Sequence, residues 1–550
     1  MRRRQTEVVP RSSFSVLWLE DGEFFYFFLL IKHKKGRKVK MLVKILLLII
    51  FFGIMVTVGA LCRKYAKNVN SFVIGGRSVG PWLSAFAYGT TYFSAVIFVG
   101  YAGQFGWKFG MSATWIGIGN AMIGSFLAWI ILGRRTRLIT QHLSSATMPE
   151  FFEKRYLNRS LRIGASFIIF IFLIPYTASL YNGLSRLFSM AFNIDYTVCI
   201  IAMSVLTAVY VILGGYMASA INDFIQGIIM LGGIIAVITA VLNLNGGFSA
   251  SYLLLSQAED AAVNMPGAFA SFFGPSPKDL LFVVILTSLG TWGLPQMVHK
   301  FYAIRNENDI RKGTIISTVF AIVVAGGCYF LGGFGRLFPG IDVASNGYDS
   351  IIPAMLEKLP DILIGIVVIL VLSASMSTLS SLVMTSSSTL TLDFIKIKIA
   401  KNAGEKTLLL MIRILIAVFI AVSAVIAIVQ FRSKVSFIAQ LMGISWGALA
   451  GAFLAPFLYG LYWKRATAAS VWTTFIFGAA LMAANFLFNG SFPALLRSPI
   501  NCGAFAMIAG LVLVPVVSVF TKPPKKNLVD EMFSCYDTRV SVKINKYMGE

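Results

Sequence analysis

Residues 82–94 read Trp-Leu-Ser-Ala-Phe-Ala-Tyr-Gly-Thr-Thr-Tyr-Phe-Ser, an apolar run that is interrupted in its middle by Gly89 and two threonines. Residues 286–295 read Leu-Thr-Ser-Leu-Gly-Thr-Trp-Gly-Leu-Pro and are interrupted in a similar way. Paired interrupted helices in two halves of a chain indicate a transporter built of inverted repeats, with solute and ion bound at the breaks. Close packing of neighbouring helices explains either glycine equally well.

The composition indicates a membrane protein. Of the 550 residues, 57% are hydrophobic and 13% are charged, whereas a soluble domain carries about 25% charged residues. The apolar residues form continuous runs, which argues against an outer-membrane barrel, a soluble enzyme and a disordered chain. We therefore predict an all-α, polytopic protein of the cell membrane whose surroundings are the lipid bilayer.

Thirteen apolar runs are long enough to cross a hydrocarbon core of ~30 Å. Glycine, proline and charged residues mark the ends of these runs. The predicted spans are 42–62, 81–104, 112–132, 163–182, 194–213, 221–243, 279–299, 313–335, 361–391, 407–430, 435–461, 468–488 and 501–521. The connections between these spans are too short to hold a soluble domain.

Lysine and arginine are distributed unevenly between alternate connections. Counted from Met41, one side of the membrane carries 28 of them and the other carries nine. Because cytoplasmic loops carry the excess of positive charge, we expect the C-terminus in the cytoplasm. The net charge of +24 then reflects topology, and no nucleic-acid partner is expected.

Metal clusters, nucleotide sites and disulfides are not indicated. The five cysteines are odd in number and widely spaced, and the three histidines form no paired spacing. A phosphate loop of the GxxxxGK(S/T) type does not occur, which disfavours an ATP-driven pump. We expect no enzymatic activity, no organic cofactor and no obligate protein partner.

The ninth predicted span is rich in hydroxyl side chains, since twelve of the nineteen residues 373–391 are Ser or Thr. Most of these hydroxyls can donate hydrogen bonds to main-chain carbonyls of their own helix, and such hydroxyls are tolerated in lipid. Ala374, Ser377 and Thr378 share one helix face at positions i, i+3 and i+4. One carbonyl and two hydroxyls supply neutral oxygens for a hard monovalent cation, and carbonyls freed by a helix break could complete the shell.

Four sequence blocks, in this order, resemble the sodium:solute symporter family, which includes proline, pantothenate, sialic acid and sodium/glucose transporters. The blocks are 72–82 (FVIGGRSVGPW), 214–227 (GGYMASAINDFIQG), 376–380 (MSTLS) with 393–396 (DFIK), and 455–467 (APFLYGLYWKRAT). The resemblance covers about residues 71–467. It implies a leucine-transporter-like fold with two inverted repeats of five helices, which agrees with the count of thirteen.

The resemblance also divides the chain into segments. They are a leading helix (41–63), the first inverted repeat (80–243), the second inverted repeat (279–461), two trailing helices (468–521) and a cytoplasmic tail (522–550).

A sodium site and its exit follow from the same resemblance. Alignment with the family implies five sodium ligands: Thr90, Phe93 and Ala374 through their carbonyls, and Ser377 and Thr378 through their hydroxyls. Asp223 matches the aspartate that the family associates with the passage of sodium to the cytoplasm. A role of Asp223 as an N-cap or helix-dipole partner is about equally compatible with the sequence.

The predicted solute pocket is neutral. Residues 112–132 and 313–335 contain no charge, so the charged groups of sugar carriers are absent, and Tyr92 stands where proline carriers have an aspartate. A pocket near Tyr92, Ser288, Thr291 and Trp292 suits a small amino or carboxylic acid whose carboxylate binds free N–H groups at a half-helix N-terminus. Trp292 is equally compatible with plain packing.

We therefore expect a secondary active symporter that imports a small organic solute by alternating access, with Na⁺ as the coupling ion. Two alternatives remain on the same fold. One is coupling to protons or another cation, although a proton-coupled carrier is expected to replace the hydroxyl pair with a titratable group. The other is a solute of the sugar type.

Residues 1–40 do not fit this topology, because their ten Lys and Arg residues would lie outside the cell. Their one apolar run, 24–31, is too short to span a membrane and lacks a signal-peptide cleavage site. We predict that translation begins at Met41 and that this basic extension is absent from the native protein. Intact mass of the natively expressed protein tests the prediction; a mass that includes Met1 would instead indicate a disordered basic tail.

Overall fold

The computed structural model describes residues 44–66, 68–192, 194–260, 263, 265–433 and 438–537, which are almost entirely helical. The predicted extension 1–40, the start of the leading helix and the last part of the tail lie outside the described residues. The principal helices are α1 (Lys44–Tyr65), α2 (Pro81–Tyr92), α3 (Val96–His142), α4 (Arg159–Phe192), α5 (Tyr196–Asn243), α6 (Pro277–Gly293), α7 (Pro295–Tyr302), α8 (Glu307–Leu337), α9 (Asp361–Lys398), α10 (Glu405–Arg432), α11 (Ile438–Tyr462), α12 (Ala468–Leu487) and α13 (Pro499–Phe520).

Ten helices of the described residues are long and apolar enough to cross a membrane, and the bent pair of α6 and α7 makes eleven. The prediction of a polytopic helical membrane protein is therefore confirmed at this level. The number of spanning helices is lower than thirteen because α3 and α5 are long helical runs of 47 and 48 residues. Each of them covers a region that the sequence divides between two predicted spans. Each run is interrupted by a glycine with positive φ, Gly110 (61°) and Gly215 (58°).

The break between α6 and α7 has a local cause. Leu294 is extended (φ −79°, ψ 121°), and Pro295 begins α7 at an angle of 45° to α6. Proline disfavours helical backbone in the residue before it and is well accepted at the first position of a helix. The dipeptide therefore ends one helix and starts the next.

The break after α2 has no proline. Phe93 is extended (φ −94°, ψ 126°) at the C-terminus of α2, and helical structure resumes as α3. A side chain of α9 binds one of the backbone groups at this break, since the Ala95 N–H donates to Ser375 Oγ at 3.2 Å. The first break therefore depends on a neighbouring helix.

The start of α2 and the end of α7 meet at one end of the molecule. Val79 N–H donates to the carbonyl of Ala303 at 3.1 Å, and Arg305 N–H donates to the carbonyl of Val79 at 3.0 Å. Arg77 also donates to the Tyr302 carbonyl at 3.0 Å. The two broken spans therefore run in opposite directions, and we call this the Arg77 end.

Segments predicted on one side of the membrane also lie close together. Arg134 Nε, near the end of α3, is 2.6 Å from Glu307 Oε2 at the start of α8. Lys464 Nζ, which follows α11, is 2.6 Å from Asp530 Oδ1 in the short tail helix Lys526–Phe533. The cellular compartment that these segments face stays a prediction.

Helix α9 is enclosed by its neighbours, and every residue of 370–389 is buried. It packs against α2, α4, α5 and α10. Ser388, Thr389 and Thr391 return their hydroxyls to carbonyls of their own helix. The hydroxyls of Ser375, Ser377, Thr378, Ser380 and Ser381 contact other elements, and those of Thr378 and Ser380 also bond carbonyls of α9. The hydroxyl-rich stretch thus has two parts with different roles.

The close approach at Gly110 predicts intolerance of any side chain. A Cβ there would overlap the carbonyl of Phe269, and a φ of 61° disfavours residues other than glycine. We expect Gly110→Ala to lower the free energy of unfolding by more than ~2 kcal/mol, measured as a lower melting temperature of the detergent-purified protein. Gly232→Ala is the matched control because the space around that position is open. Equal melting temperatures of the two variants would contradict the close approach.

Candidate functional site

The break after α2 faces Thr378 on α9. Thr378 Oγ1 lies within hydrogen-bonding distance of four main-chain carbonyl oxygens. They are those of Thr91, Phe93 and Ala374, at 3.1 Å each, and that of Thr90, at 3.4 Å. Three of these carbonyls come from the unwound end of α2, where the last carbonyls of a helix have no partner in the same helix.

These oxygens outnumber the hydrogens available to them. The Thr378 hydroxyl carries one hydrogen and can donate it to one carbonyl at a time. Ser377 Oγ donates to Thr90 Oγ1 at 2.7 Å, and Thr90 Oγ1 donates in turn to the Phe86 carbonyl at 2.7 Å. Thr90, Ser377 and Thr378 are all buried. A buried set of neutral oxygens with too few hydrogens suits a monovalent cation.

The structure brings together all five residues that the sequence assigns to sodium, and their role as ligands stays a prediction. We call the whole group the Thr378 cluster; it consists of the carbonyls of Thr90, Thr91, Phe93 and Ala374 and the hydroxyls of Ser377 and Thr378. The sequence reasoning missed the Thr91 carbonyl. The available signal was that several successive carbonyls are freed where a helix ends.

Asp223 lies about two turns beyond Gly215 within α5 and is fully buried. The helix continues through this position, so the N-cap interpretation is wrong. Asp223 Oδ2 is 3.4 Å from Lys300 Nζ, which donates to Ser381 Oγ at 2.9 Å. Lys300 directly follows the predicted span 279–299 and was therefore expected in a loop. This expectation is wrong, because α7 extends to Tyr302 and buries Lys300.

A small cavity adjoins the break after α2 and is lined by residues of α2, α3, α6 and α8. Its lining contains no charged side chain. The residues that line it are Tyr88, Gly89, Tyr92, Phe93, Asn120, Gly124, Ser125, Thr291, Ser317, Phe320, Ala321 and Ala325. The cavity is therefore neutral and lies next to the Thr378 cluster, because Phe93 belongs to both.

Two of the four residues that the sequence assigns to the solute line this cavity, namely Tyr92 and Thr291. The other two connect α6 to α3 beside it. Ser288 Oγ donates to Asn120 Oδ1 at 3.0 Å, and Trp292 Nε1 donates to a main-chain carbonyl of α3 at 2.9 Å. The structure thus places Ser288 and Trp292 where they position the cavity wall.

Asn120 is a site residue that the sequence reasoning missed. Its amide is a polar group in the predicted span 112–132, which contains no charged residue, and this amide was the available signal. Among the described residues, neither Asn120 Nδ2 nor Tyr92 Oη has a hydrogen-bond partner, although both atoms are buried. Both residues line the cavity, so an amide donor and a hydroxyl are available to a bound molecule.

Comparison with known proteins identifies transporters as the proteins similar to this chain. The model of the sodium:solute symporter family matches residues 72–478. The chain is 28% identical over 487 residues to the osmoregulated proline transporter OpuE of Bacillus subtilis, which covers 87% of this chain and 94% of that protein. It is 29% identical over 449 residues to a sodium/proline symporter of Staphylococcus aureus, covering 80% and 84%.

One solved structure shows a shared fold. It is that of a Na⁺-coupled sialic acid symporter, a substrate-bound, outward-open state. The TM-score is 0.69 at 17% sequence identity, and the alignment covers 88% of this chain and 99% of the other.

The Thr378 cluster predicts that Na⁺ stabilises the protein. Thr378→Ala removes the hydroxyl that faces all four carbonyls, so we expect the affinity for Na⁺ to fall about tenfold or more, equivalent to ~1.4 kcal/mol or more. The measurement is the melting temperature of the purified protein as Na⁺ replaces K⁺ at constant ionic strength. Ser388→Ala is the matched control, since that hydroxyl bonds a carbonyl of its own helix. An equal Na⁺ response in both variants would contradict the assignment.

Proposed function

Because the chain belongs to the sodium:solute symporter family, we propose that the Thr378 cluster binds the coupling sodium ion and that the neighbouring cavity binds a small amino acid. The chain is a sodium-coupled symporter of a small organic solute, and it is a transporter and not an enzyme. The proposal concerns its ligands and the class of its solute. One observation carries it: Thr378 Oγ1 lies opposite three carbonyl oxygens at a helix break and a fourth, that of Ala374, in its own helix.

The chemistry of the cluster fits sodium. Hard cations prefer oxygen ligands, and a set of carbonyls and hydroxyls without a carboxylate suits a single positive charge. The ligands come from α2 and α9, so a bound ion joins the two helices. An ion that binds only when these helices are in contact favours the conformations in which they touch, and this is the differential binding that coupling requires.

Two observations support an amino acid such as proline. Two relatives are named as proline carriers, and the lining of the cavity is neutral. Asn120 and Tyr92 supply polar contacts for a carboxylate or an amino group. A sugar carries many hydroxyls, and the other polar side chains of the lining already bond within the protein, namely Tyr88, Ser125, Thr291 and Ser317.

The same family membership leads us to propose thirteen spans arranged as two inverted repeats of five helices. Division of the two longest helical runs at Gly110 and Gly215 supports that count, since about 20 residues suffice for one crossing. The opposite directions of the two broken spans support the inversion. The excess of positive charge supports a plasma-membrane protein whose Arg77 end and C-terminus face the cytoplasm.

In the proposed cycle, sodium binds from outside, joins α2 to α9 and prepares the cavity through Phe93. The helices then rearrange, and ion and solute leave at the Arg77 end, with Asp223 on the path of the ion. One sodium ion supplies ~2.3 kcal/mol per 100 mV and ~1.4 kcal/mol per tenfold gradient. Together these support a solute accumulation of several hundredfold.

Uptake in proteoliposomes tests the proposal. Labelled L-proline, other small amino acids and monocarboxylates are supplied with an inward Na⁺ gradient, a pH gradient or neither. We expect accumulation of an amino acid with the Na⁺ gradient alone. Uptake that follows the pH gradient without Na⁺ would favour proton coupling, for which Asp223 and Lys300 are the buried titratable pair.

The cavity makes a separate prediction for the solute. Asn120→Leu removes from the lining the amide donor Nδ2, which has no partner among the described residues, so we expect the KM for the amino acid to rise about tenfold or more, while stabilisation of the protein by Na⁺ is retained. Met122→Leu, on the same helix and exposed to the surroundings, is the control. Equal KM values in the two variants would place the solute elsewhere.

A further inference from the structure

Lys300 is a buried ammonium group held between three helices. It is carried by α7, and its Nζ contacts Asp223 Oδ2 on α5 at 3.4 Å and Ser381 Oγ on α9 at 2.9 Å. The same Nζ lies 5.3 Å from the centre of the Tyr216 ring. Burying an ammonium and a carboxylate is costly even when they pair, so packing alone does not account for this residue.

Lys300 also lies close to the Thr378 cluster. Ser381 Oγ, which accepts from Lys300 Nζ, is 3.0 Å from Thr91 Oγ1, and the carbonyl of Thr91 belongs to the cluster. Ser377 of the cluster and Ser381 are one helical turn apart on α9. The ammonium is thus two hydrogen bonds from the hydroxyl of Thr91, a residue of the cluster, and all three residues are buried, so charges there interact strongly.

The surroundings of the ammonium are a cation site in their own right. Asp223 supplies a carboxylate whose Oδ1 has no hydrogen-bond partner among the described residues. Ser219 is one turn before Asp223 on α5, and its hydroxyl pairs at 2.8 Å with that of Ser380, the neighbour of Ser381. A carboxylate and hydroxyls from two helices make a suitable oxygen set for a small cation, and Lys300 places a positive charge in it.

We infer that Lys300 is a tethered cation that stands where a second sodium ion would otherwise bind, and that it limits coupling to one sodium ion per solute. This inference rests on the proposed sodium site at the Thr378 cluster. A buried carboxylate requires a positive neighbour, and here the chain supplies that neighbour covalently. The ammonium stays with the protein throughout the cycle, so it satisfies Asp223 without adding to the transported charge.

Counting sodium ions separates this role from a merely structural one. Loss of a structural ion pair changes stability, but it does not create a binding site. Loss of a tethered cation leaves the carboxylate of Asp223 facing hydroxyls, and a sodium ion from solution then takes the vacated place. The number of sodium ions bound per chain is therefore the decisive quantity.

The experiment measures binding of radiolabelled Na⁺ to the purified full-length chain, and Na⁺-dependent uptake of labelled L-proline in proteoliposomes. We expect wild type to bind about one Na⁺ with a Hill coefficient of about 1. Lys300→Gln should bind about two Na⁺, with a Hill coefficient between about 1 and 2. Lys300→Arg keeps the charge and should behave as wild type. The double variant Asp223→Asn with Lys300→Gln should return to about one.

Lys278→Gln, which removes an exposed lysine, is the control for loss of charge alone. Two sodium ions in wild type, or one sodium ion with an unchanged Hill coefficient in Lys300→Gln, would overturn the inference. If Lys300→Gln does not fold, the double variant and wild type decide, because two sodium ions in either would also overturn it. A wild-type chain that binds no sodium would refute the proposed function instead.

Discussion

The carbonyl groups released where α2 stops at Tyr92 need partners, and Thr378 on α9 is the side chain that faces them. An unpaired buried carbonyl costs about 1–3 kcal/mol, and one hydroxyl hydrogen cannot serve the three that face Thr378. In the proposed function a sodium ion completes this arrangement. The ion then interacts both with the break after α2 and with the hydroxyl-rich helix α9. The distance between α2 and α9, which the surrounding helices maintain, decides whether both sets of oxygens reach it.

The two broken spans differ in what causes them. Pro295 ends α6 and starts α7 through its own backbone restrictions, whatever surrounds it. The break at Phe93 has no such residue, and α9 binds the free groups around it. A break that depends on a neighbour can respond to that neighbour. In the proposed function ion binding has to alter the cavity, and Phe93 belongs both to the Thr378 cluster and to the cavity lining.

Much of the architecture was predictable because lipid imposes strong rules on sequence. Continuous apolar runs identified the spans, although the structure joins several of them at Gly110 and Gly215 into longer helical runs. The i, i+3, i+4 spacing of Ala374, Ser377 and Thr378 placed three groups on one face, and the structure turns that face toward the break. The position of Asn120 in the cavity lining was not predicted because a single amide in an apolar run has no periodic pattern.

The position of Lys300 shows the limit of such reasoning most clearly. At the end of an apolar run it resembles a loop cation, and charge counting treats it as one. Only the packing of α7 against α5 and α9 places its ammonium beside Asp223, which is 77 residues away in the chain.

The sequence by itself determined the membrane class, the presence of many apolar helices and the second break, because hydrophobic length and proline geometry act locally. Only the tertiary structure decided which carbonyls meet Thr378, which polar groups line the cavity and which charge pairs with Asp223. These contacts depend on the distances between helices that are far apart in the chain. The residues of one segment do not determine such distances.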